Sequence, residues 1–127
     1  MPKNNSFTDI YDILNDYSND VSDGMHKIGN DVAKQGVQKL KNTTTVYHVR
    51  SGNYNKGWKV KKYEGRWSFA NIIHNATDWR LTHLLEFSHN KRNGGKTRAF
   101  KHIEPVENEC VNDYENGVIK LIKNGGK

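Results

Sequence analysis

Apolar residues recur every three or four positions from Phe7 to Val32 and, after one five-residue step, continue at Val37 and Leu40, a spacing that places them on one face of a helix. Ser6 is a favoured N-cap residue, and the aspartates near the beginning and the lysines near the end suit the helix dipole. We therefore predict one helix over residues 6–41. Its three glycines lower helix stability, so a break near residues 22–24 and a fold-back of two shorter helices stay open. The stripe consists of Phe7, Ile10, Tyr11, Leu14, Tyr17, Val21, Met25, Ile28, Val32, Val37 and Leu40.

A continuous helix of this span would be about 50 Å long, at a rise of about 1.5 Å per residue. A compact domain of this size has a radius of gyration of only about 14 Å. We therefore expect the outer end of the helix to pack on another subunit.

Apolar and polar residues alternate from Gly57 to Asn75, which indicates an antiparallel hairpin with one buried face. A two-residue turn at Glu64–Gly65 fits this pattern. It predicts the pairs Val60–Phe69, Lys62–Trp67 and Trp58–Asn71. The predicted buried face carries Trp58, Val60, Trp67, Phe69 and Ile73, and the opposite face carries Lys59, Lys61, Tyr63, Arg66, Ser68 and Ala70. The cationic face is either solvated or in contact with DNA or an acidic protein surface.

The segments on either side of the hairpin have weaker patterns. Residues 46–49 fit a short strand or an extended connector, and residues 50–57 fit a polar loop. After the hairpin, Asp78 can cap a short helix over residues 78–87. With the hairpin, this helix gives a predicted core of Trp58, Val60, Trp67, Phe69, Leu81, Leu84, Leu85 and Phe87.

The end of the chain predicts a loop, a strand and a helix. Residues 88–98 have the composition of a mobile basic loop, and residues 99–103 fit a strand that joins the hairpin. Pro105 suits the first position of a helix over residues 105–123, which Asn124-Gly-Gly ends. Its buried stripe would be Val106, Cys110, Tyr114, Val118, Leu121 and Ile122. Together the elements predict an α+β fold in a single domain covering residues 1–127.

The chain is poor in apolar residues for a compact monomer. They make up 34% of the sequence and the mean hydropathy is −0.93, so the core is small or partly shared with other subunits. No apolar run approaches the roughly 20 residues that cross a bilayer, and residues 1–5 lack the apolar region of a signal peptide. Cys110 is the only cysteine, which fits a reducing compartment. We interpret it as a buried structural thiol rather than a nucleophile.

Charge is distributed unevenly around a net value of +6. Residues 1–40 carry four basic and six acidic residues, residues 41–103 carry thirteen and three, and residues 104–127 carry three and five. The terminal helices are therefore mildly acidic and the middle is strongly basic. In a ring, acidic helices of one subunit would meet the basic hairpin of the next, which predicts assembly that weakens with salt.

Six histidines raise the question of a metal-dependent nuclease, because several of them adjoin asparagines. Between residues 66 and 103 the only acidic residues are Asp78 and Glu86, and no consistent metal-ligand spacing is present. We therefore predict no metal site. His83 and His102 are expected at partly buried positions, where they donate hydrogen bonds.

Motifs for nucleotide binding and acid catalysis are equally weak. Asn93-Gly-Gly-Lys-Thr97 shares the ending of a phosphate-binding loop but lacks its first glycine and a preceding strand. Glu86 follows two leucines and is expected in a structural ion pair with Arg80 or Arg98 rather than as an acid catalyst. We predict no catalytic residue and no cofactor.

Several segments from the middle to the end of the chain occur in a recognisable order. They are Ser51-Gly-Asn-Tyr-Asn-Lys-Gly-Trp58, the strand end Ile72-Ile-His-Asn75, Leu81-Thr-His-Leu-Leu-Glu-Phe87, His89-Asn-Lys-Arg-Asn-Gly-Gly95 and His102-Ile-Glu-Pro105. Together they resemble the head-to-tail joining (neck, or tail-completion) proteins of long-tailed bacteriophages and their prophage relatives. The similarity covers roughly residues 46–115. Ser88 stands where the family usually has glycine, and Lys101 where it usually has proline.

This resemblance implies a structural virion protein of the neck, without enzymatic activity. It implies an α+β subunit of a six-membered ring that completes the tail end and joins it to the DNA-filled head. The implied partners are further copies of the chain, the head-completion or connector proteins, and the tail tube or tail terminator protein. DNA in the lumen would be contacted non-specifically, and no membrane is involved. The implied location is the virion, and the host cytoplasm during assembly.

The candidate residues for assembly or for the DNA lumen lie on loops 50–57 and 88–98 and on the cationic face of the hairpin. They are Arg50, Tyr54, Lys56, Lys59, Lys61, Arg66, Lys91, Arg92, Lys96 and Arg98. A small basic DNA-binding protein is the alternative function, although both hairpin tryptophans fall on the buried face. A His/Asn-containing nuclease is less favoured.

Overall fold

The fold is known from a computed structural model, which describes residues 6–42, 53–65, 68–87 and 89–127. It confirms the predicted α+β class. The predicted strand over residues 46–49, the candidate residues Arg50 and Arg66, and the predicted core residue Trp67 lie outside the described residues. The elements are α1 (Ser6–Lys41), α2 (Asn53–Lys56), β1 (Trp58–Glu64), β2 (Phe69–Asn75), α3 (Leu81–Glu86) and α4 (Ile103–Lys123).

Helices α1 and α4 pack side by side in opposite directions, and glycines let them approach closely. A Cβ atom on Gly24 would lie 2.6 Å from Leu121 Cδ2, and one on Gly117 would lie 2.9 Å from Ile28 Cγ2. α1 is one helix of 36 residues, so its predicted span is confirmed. The alternatives, a break near residues 22–24 and a fold-back, are wrong. The glycines that weaken an isolated helix stand where a side chain would hold the other helix away.

The two strands form an antiparallel hairpin whose register differs from the prediction by four residues. Gly65 N–H donates to Ser68 O over 2.7 Å, so Glu64 and Gly65 are not the two central residues of the turn. The partner of Trp58 is Asn75, that of Val60 is Ile73, and that of Lys62 is Asn71. Because the shift is even, each strand residue stays on its predicted face.

Packing on α1 explains the register. The Phe69 ring stacks on His26 with centroids 4.0 Å apart, and Ile73 Cδ1 lies against the Cα of Gly36. These two contacts fix β2 along the helix. This packing outweighs the tendency of Glu64 and Gly65 to form a two-residue turn, since Glu is a poor first residue in such a turn.

The core lies where the end of α1 meets the hairpin. Val37, Leu40, Tyr54 and Trp58 are buried there. The half-buried residues packed against them are Val60, Ile73, Leu81, Leu85, Phe100, Ile103 and Val106. Of the other predicted core residues, Phe69 and Leu84 are half-buried, whereas Phe87 is 58% exposed, so its placement in the core is wrong. α3 ends one residue earlier and turns Phe87 outward, under the Lys101 ammonium group.

The segment before α4 is not a third strand. Residues 99–102 have no regular structure, and the described sheet has two strands, so the predicted strand over residues 99–103 is wrong. α4 begins at Ile103 rather than at Pro105. Its end is as predicted, because Gly125 and Gly126 adopt the positive φ angles of a helix stop. Within the described ranges, no helix is both long and apolar enough to span a bilayer.

Candidate assembly interface

A buried carboxylate explains where α4 begins. Glu86, at the end of α3, is 4% exposed. Its Oε1 accepts the N–H groups of His102 (2.9 Å) and Ile103 (2.8 Å), and its Oε2 accepts that of Glu104 (3.0 Å). These are N–H groups that a helix start leaves without partners, so Glu86 caps α4 from a different helix. Pro105 then occupies the third position, where a missing N–H costs nothing.

The charge state of Glu86 follows from this environment. Burial by itself raises the pKa of the carboxyl, but hydrogen bonds from three backbone N–H groups outweigh it and hold the pKa below its usual range. Glu86 is therefore a charged cap at neutral pH. The predicted ion pair with Arg80 or Arg98 is wrong. Arg80 lies over the ring of Trp79, and Arg98 over that of Phe100.

His102 connects this cap to the core. Its Nδ1 lies 2.7 Å from the carbonyl oxygen of Phe100, which can only accept, so the network places a proton on Nδ1. Nε2 then accepts the hydroxyl proton of Tyr54 over 2.5 Å. The expected packing of His102 is confirmed, and it is fully buried. His83 is exposed on the solvent side of α3, so its predicted burial is wrong.

Tyr54 was a candidate interface residue on sequence, but it lies in the core with no exposed surface. Its ring meets Trp58 edge to face at 5.6 Å. Burial, and then the negative charge of Glu86, raise the pKa of its hydroxyl. Tyr54 cannot contact a partner from this position. It instead fixes α2, a helical turn within the predicted loop over residues 50–57, to the beginning of α4.

Asn75 holds the chain before α3. Its amide donates to Tyr54 O over 2.6 Å, and its Oδ1 accepts the N–H of Asp78 over 2.8 Å. The predicted cap by Asp78 is wrong, because α3 begins at Leu81 and has no side-chain cap. Sequence reasoning missed the roles of Asn75 and Glu86, since both depend on partners distant in the chain.

The row Glu86–His102–Tyr54 contains groups that enzymes use for acid–base catalysis. Here the His102 and Glu86 side chains are 0% and 5% exposed, and the Tyr54 hydroxyl is enclosed. An open groove of about 510 Å³ beside the row is lined by Glu86 but by neither His102 nor Tyr54. The network is therefore structural. Among the described residues, no three His, Cys, Asp or Glu side chains could together hold a metal ion.

The basic loop is a small closed hairpin rather than an irregular segment. Asn90 and Lys96 form an isolated β-bridge, and Gly94 and Gly95 take φ angles of +90° and +77° at its tip. Thr97 N–H donates to His89 O over 2.8 Å. At its base, Phe100 N–H donates to Leu85 O over 2.6 Å, next to the Glu86 cap. The loop thus presents four exposed cations from a fixed base, namely Lys91, Arg92, Lys96 and Arg98.

The outer face of the hairpin, formed by residues 59, 61, 63, 70, 72 and 74, is the second basic surface. Lys59 and Lys61 are exposed there, as predicted, and Lys56 is exposed nearby. Between them lie two apolar side chains, Tyr63 and Ile72, each 47% exposed. None of the three lysines forms an ion pair with a carboxylate of the described residues.

The first half of α1 is a third surface, which we call the arm (residues 6–20). Its apolar stripe is uncovered: Ile10, Ile13 and Leu14 are 54%, 67% and 60% exposed. α4 and its terminal turn end beside Asp20, where Gly126 lies against the helix. No lysine or arginine occurs in the arm, which carries Asp9, Asp12, Asp16 and Asp20.

Comparison of the chain with protein-family models, with curated proteins and with solved structures finds no match. A function for this chain therefore has to be inferred from the basic loop, the outer face of the hairpin and the arm, and from the buried network that positions them.

Proposed function

We propose that this chain is a structural subunit of the head–tail connector of a long-tailed phage, where a ring of copies completes the tail end and joins it to the filled head. The observation that carries the proposal is that residues from separate segments of the resemblance meet in one place. Tyr54, Trp58, Glu86 and His102 belong to three separate segments of the resemblance, and they meet in one buried network. The shared segments thus coincide with the residues that fix the framework.

The same network supports a joining role physically. Leu85 and Glu86, which precede the basic loop, accept hydrogen bonds from Phe100 and His102, which follow it, so the loop that carries the cations is closed at its base. The hairpin holds a second set of cations on a separate face. Two fixed, separate basic surfaces suit a subunit that contacts acidic protein rings or the phosphates of DNA in a lumen.

Electron microscopy of phage particles made without this protein tests the proposal. We expect filled heads and full-length tails that remain separate, and restored virions when the wild-type chain is supplied. Normal virions without the protein would refute a joining role.

A loop variant sharpens that experiment. Lys91→Ala/Arg92→Ala should fold normally, because both side chains are exposed, and should restore fewer joined particles than wild type. The matched control is Lys120→Ala/Lys123→Ala, which removes the same charge from exposed positions near the end of α4. Equal complementation by both variants would count against the loop.

A small DNA-binding protein is the second candidate, favoured by exposed cations without carboxylate partners. The burial of Trp58 removes it as a platform for stacking bases. Fluorescence anisotropy with labelled duplexes separates the candidates. A connector subunit should bind weakly, without sequence preference, and lose binding steeply with salt. Tight, sequence-specific binding by a monomer at physiological salt would favour the second candidate.

A further inference from the structure

The apolar stripe of the arm has the spacing of a packed helix face, but the described residues leave it exposed. Ile10, Ile13, Leu14 and Tyr17 follow the i, i+3, i+4, i+7 spacing of one helix face and are 40–67% exposed. The stripe continues the face that, further along α1, packs against α4. A helix of 36 residues is about 54 Å long, and its first third extends past its neighbours.

The described parts of the same chain cannot cover this stripe. α4 runs antiparallel to α1, and its terminal turn reaches only Asp20. Gly65 and Ser68, at the end of the hairpin, line one groove with Ser18 and Ser22. Since the arm is collinear with the rest of α1, it projects away from both elements. None of the described residues covers the stripe, which leaves it available to another molecule.

The arm also has a charge pattern that selects its partner. Asp9 precedes Ile13 by four residues and Asp16 follows it by three, so both carboxylates lie on neighbouring helical turns beside the apolar stripe. With Asp12 and Asp20, and without any basic residue, the arm carries four negative charges. A complementary surface is apolar at its centre and basic around it.

The outer face of the hairpin has this composition. Tyr63 and Ile72 supply half-exposed apolar surface, and Lys59 and Lys61 supply exposed cations beside them. Lys61 lies directly opposite Ile72 in the register. The seven residues of β1 extend about 23 Å, and the fifteen residues of the arm about 22 Å, so the two surfaces match in length.

We propose that the arm of one copy docks on the outer face of the hairpin of the next copy. The two surfaces differ and belong to separate elements, so each copy gives one contact and receives another. Such head-to-tail contacts close into a ring or continue as a filament. Closure into a ring rests on the proposed function, whereas the contact itself does not.

Charge reversal in two separate variants tests the contact. Asp9→Lys/Asp12→Lys/Asp16→Lys changes the arm from four negative charges to a net charge of +2, so both surfaces are basic, and Lys59→Glu/Lys61→Glu makes both acidic. Each variant alone should lose self-association, because its arm and its hairpin then repel. An equimolar mixture should recover it, since each arm now meets a hairpin of opposite charge. Light scattering after size exclusion reports the mass, and circular dichroism confirms that each variant is folded.

The matched control for the hairpin variant is Lys91→Glu/Arg92→Glu, which reverses the same number of charges on the basic loop. This variant should self-associate like wild type. If it loses association while Lys59→Glu/Lys61→Glu retains it, the arm docks on the loop and the proposal is overturned. A wild-type chain that stays monomeric up to its solubility limit overturns it too.

Zero-length carbodiimide coupling of mixed isotopically labelled and unlabelled copies locates the contact directly. We expect intermolecular bonds between arm aspartates and Lys59 or Lys61. Bonds from the arm to other lysines alone would contradict the proposal. The contact and the proposed function can fail separately. If the chain stays monomeric but particles made without it have separated heads and tails, only the contact is refuted. If the chain self-associates but particles made without it are normal virions, only the joining role is refuted.

Discussion

The arm and the rest of α1 share the same spacing of apolar residues, but where their side chains are described, those residues are exposed in the arm and buried or half-buried in the rest of the helix. In the second half, Val37 and Leu40 are in the core, whereas in the arm Ile10 and Leu14 are more than half exposed. The three glycines of α1 all lie after the arm, where α4 or β2 comes close. Periodicity therefore identifies the face that a helix buries, but the small residues along the same helix indicate where a neighbour is present in the same chain.

Removing a large aromatic side chain from each region gives the largest expected contrast. Trp58→Ala should lower the free energy of unfolding by about 3–5 kcal/mol, because Trp58 is 3% exposed and contacts Tyr54 and His102. Tyr17→Ala in the arm should cost under about 1 kcal/mol. Urea denaturation of the monomer measures both, and equal losses would remove the distinction.

The Glu86 cap is the next largest effect. Glu86→Gln should cost about 1.5–3 kcal/mol, since one amide oxygen cannot replace a charged acceptor of three N–H groups. The exposed Glu107→Gln is the matched control on α4. The pKa of Glu86 is lowered in the folded state, so its contribution is present above the ordinary carboxyl pKa and is lost as the pH falls through the lower value. The variant should lack this acid-dependent component of the unfolding free energy.

Tyr54→Phe tests the core end of the network. We expect a loss of about 1–2 kcal/mol, because Nε2 of His102 loses its hydrogen-bond donor. The pKa of Tyr54 is raised on folding, so its contribution is present below about pH 10 and is lost above it, where the unfolded chain ionises. The variant should show a shallower alkaline loss than wild type. Tyr63→Phe, which removes a hydroxyl from an exposed position, is the matched control.

An alanine substitution should act in opposite directions in the two parts of α1. Gly36→Ala should cost about 1 kcal/mol, since its Cβ would lie 2.8 Å from both Cys110 Sγ and Ile73 Cδ1. Asn15→Ala, on the exposed arm, should gain a few tenths of a kcal/mol from helix propensity, roughly 0.5. Thermal unfolding of both variants measures the signs. A stabilised Gly36→Ala would mean that α1, β2 and α4 pack less closely than described.

The smallest effect on unfolding is expected for the arm itself. Ile10→Gln/Leu14→Gln should change the unfolding free energy of the monomer by no more than about 0.5 kcal/mol, because both side chains are exposed and Gln is a good helix former. The same variant should lose self-association. A large loss of monomer stability would show that the arm is covered within the chain.

The sequence predicted the features that depend on local patterns. The span of α1, the faces of the hairpin and the end of α4 at Lys123, just before Gly125 and Gly126, follow from periodicity, alternation and helix-stop residues. These signals are complete within a few residues of chain, so no knowledge of the tertiary structure is needed to read them.

The failures share a different cause, which is dependence on distant partners. Pro105 marks a favoured helix start, but Glu86 moves the start to Ile103 from another helix. The polar sequence around Tyr54 predicted a loop, but the side chain is buried, where it forms a hydrogen bond with the distant His102. The hairpin register depended on His26 and Gly36 of α1 rather than on the turn. The candidate lysines were correctly placed at the surface, because exposure of a charged residue needs no partner.

The closure beneath the basic loop has a consequence for how this protein can change. Leu85 and Glu86 hold the chain again at residues 100–104, so the intervening segment contributes little to the framework. Doubling the length of such a closed segment costs only about 0.6 kcal/mol of chain entropy. The segment can therefore be replaced by one of different length or sequence at little cost in stability. A lineage could replace its length and charge to suit a new attachment surface while every contact of the underlying framework is inherited unchanged.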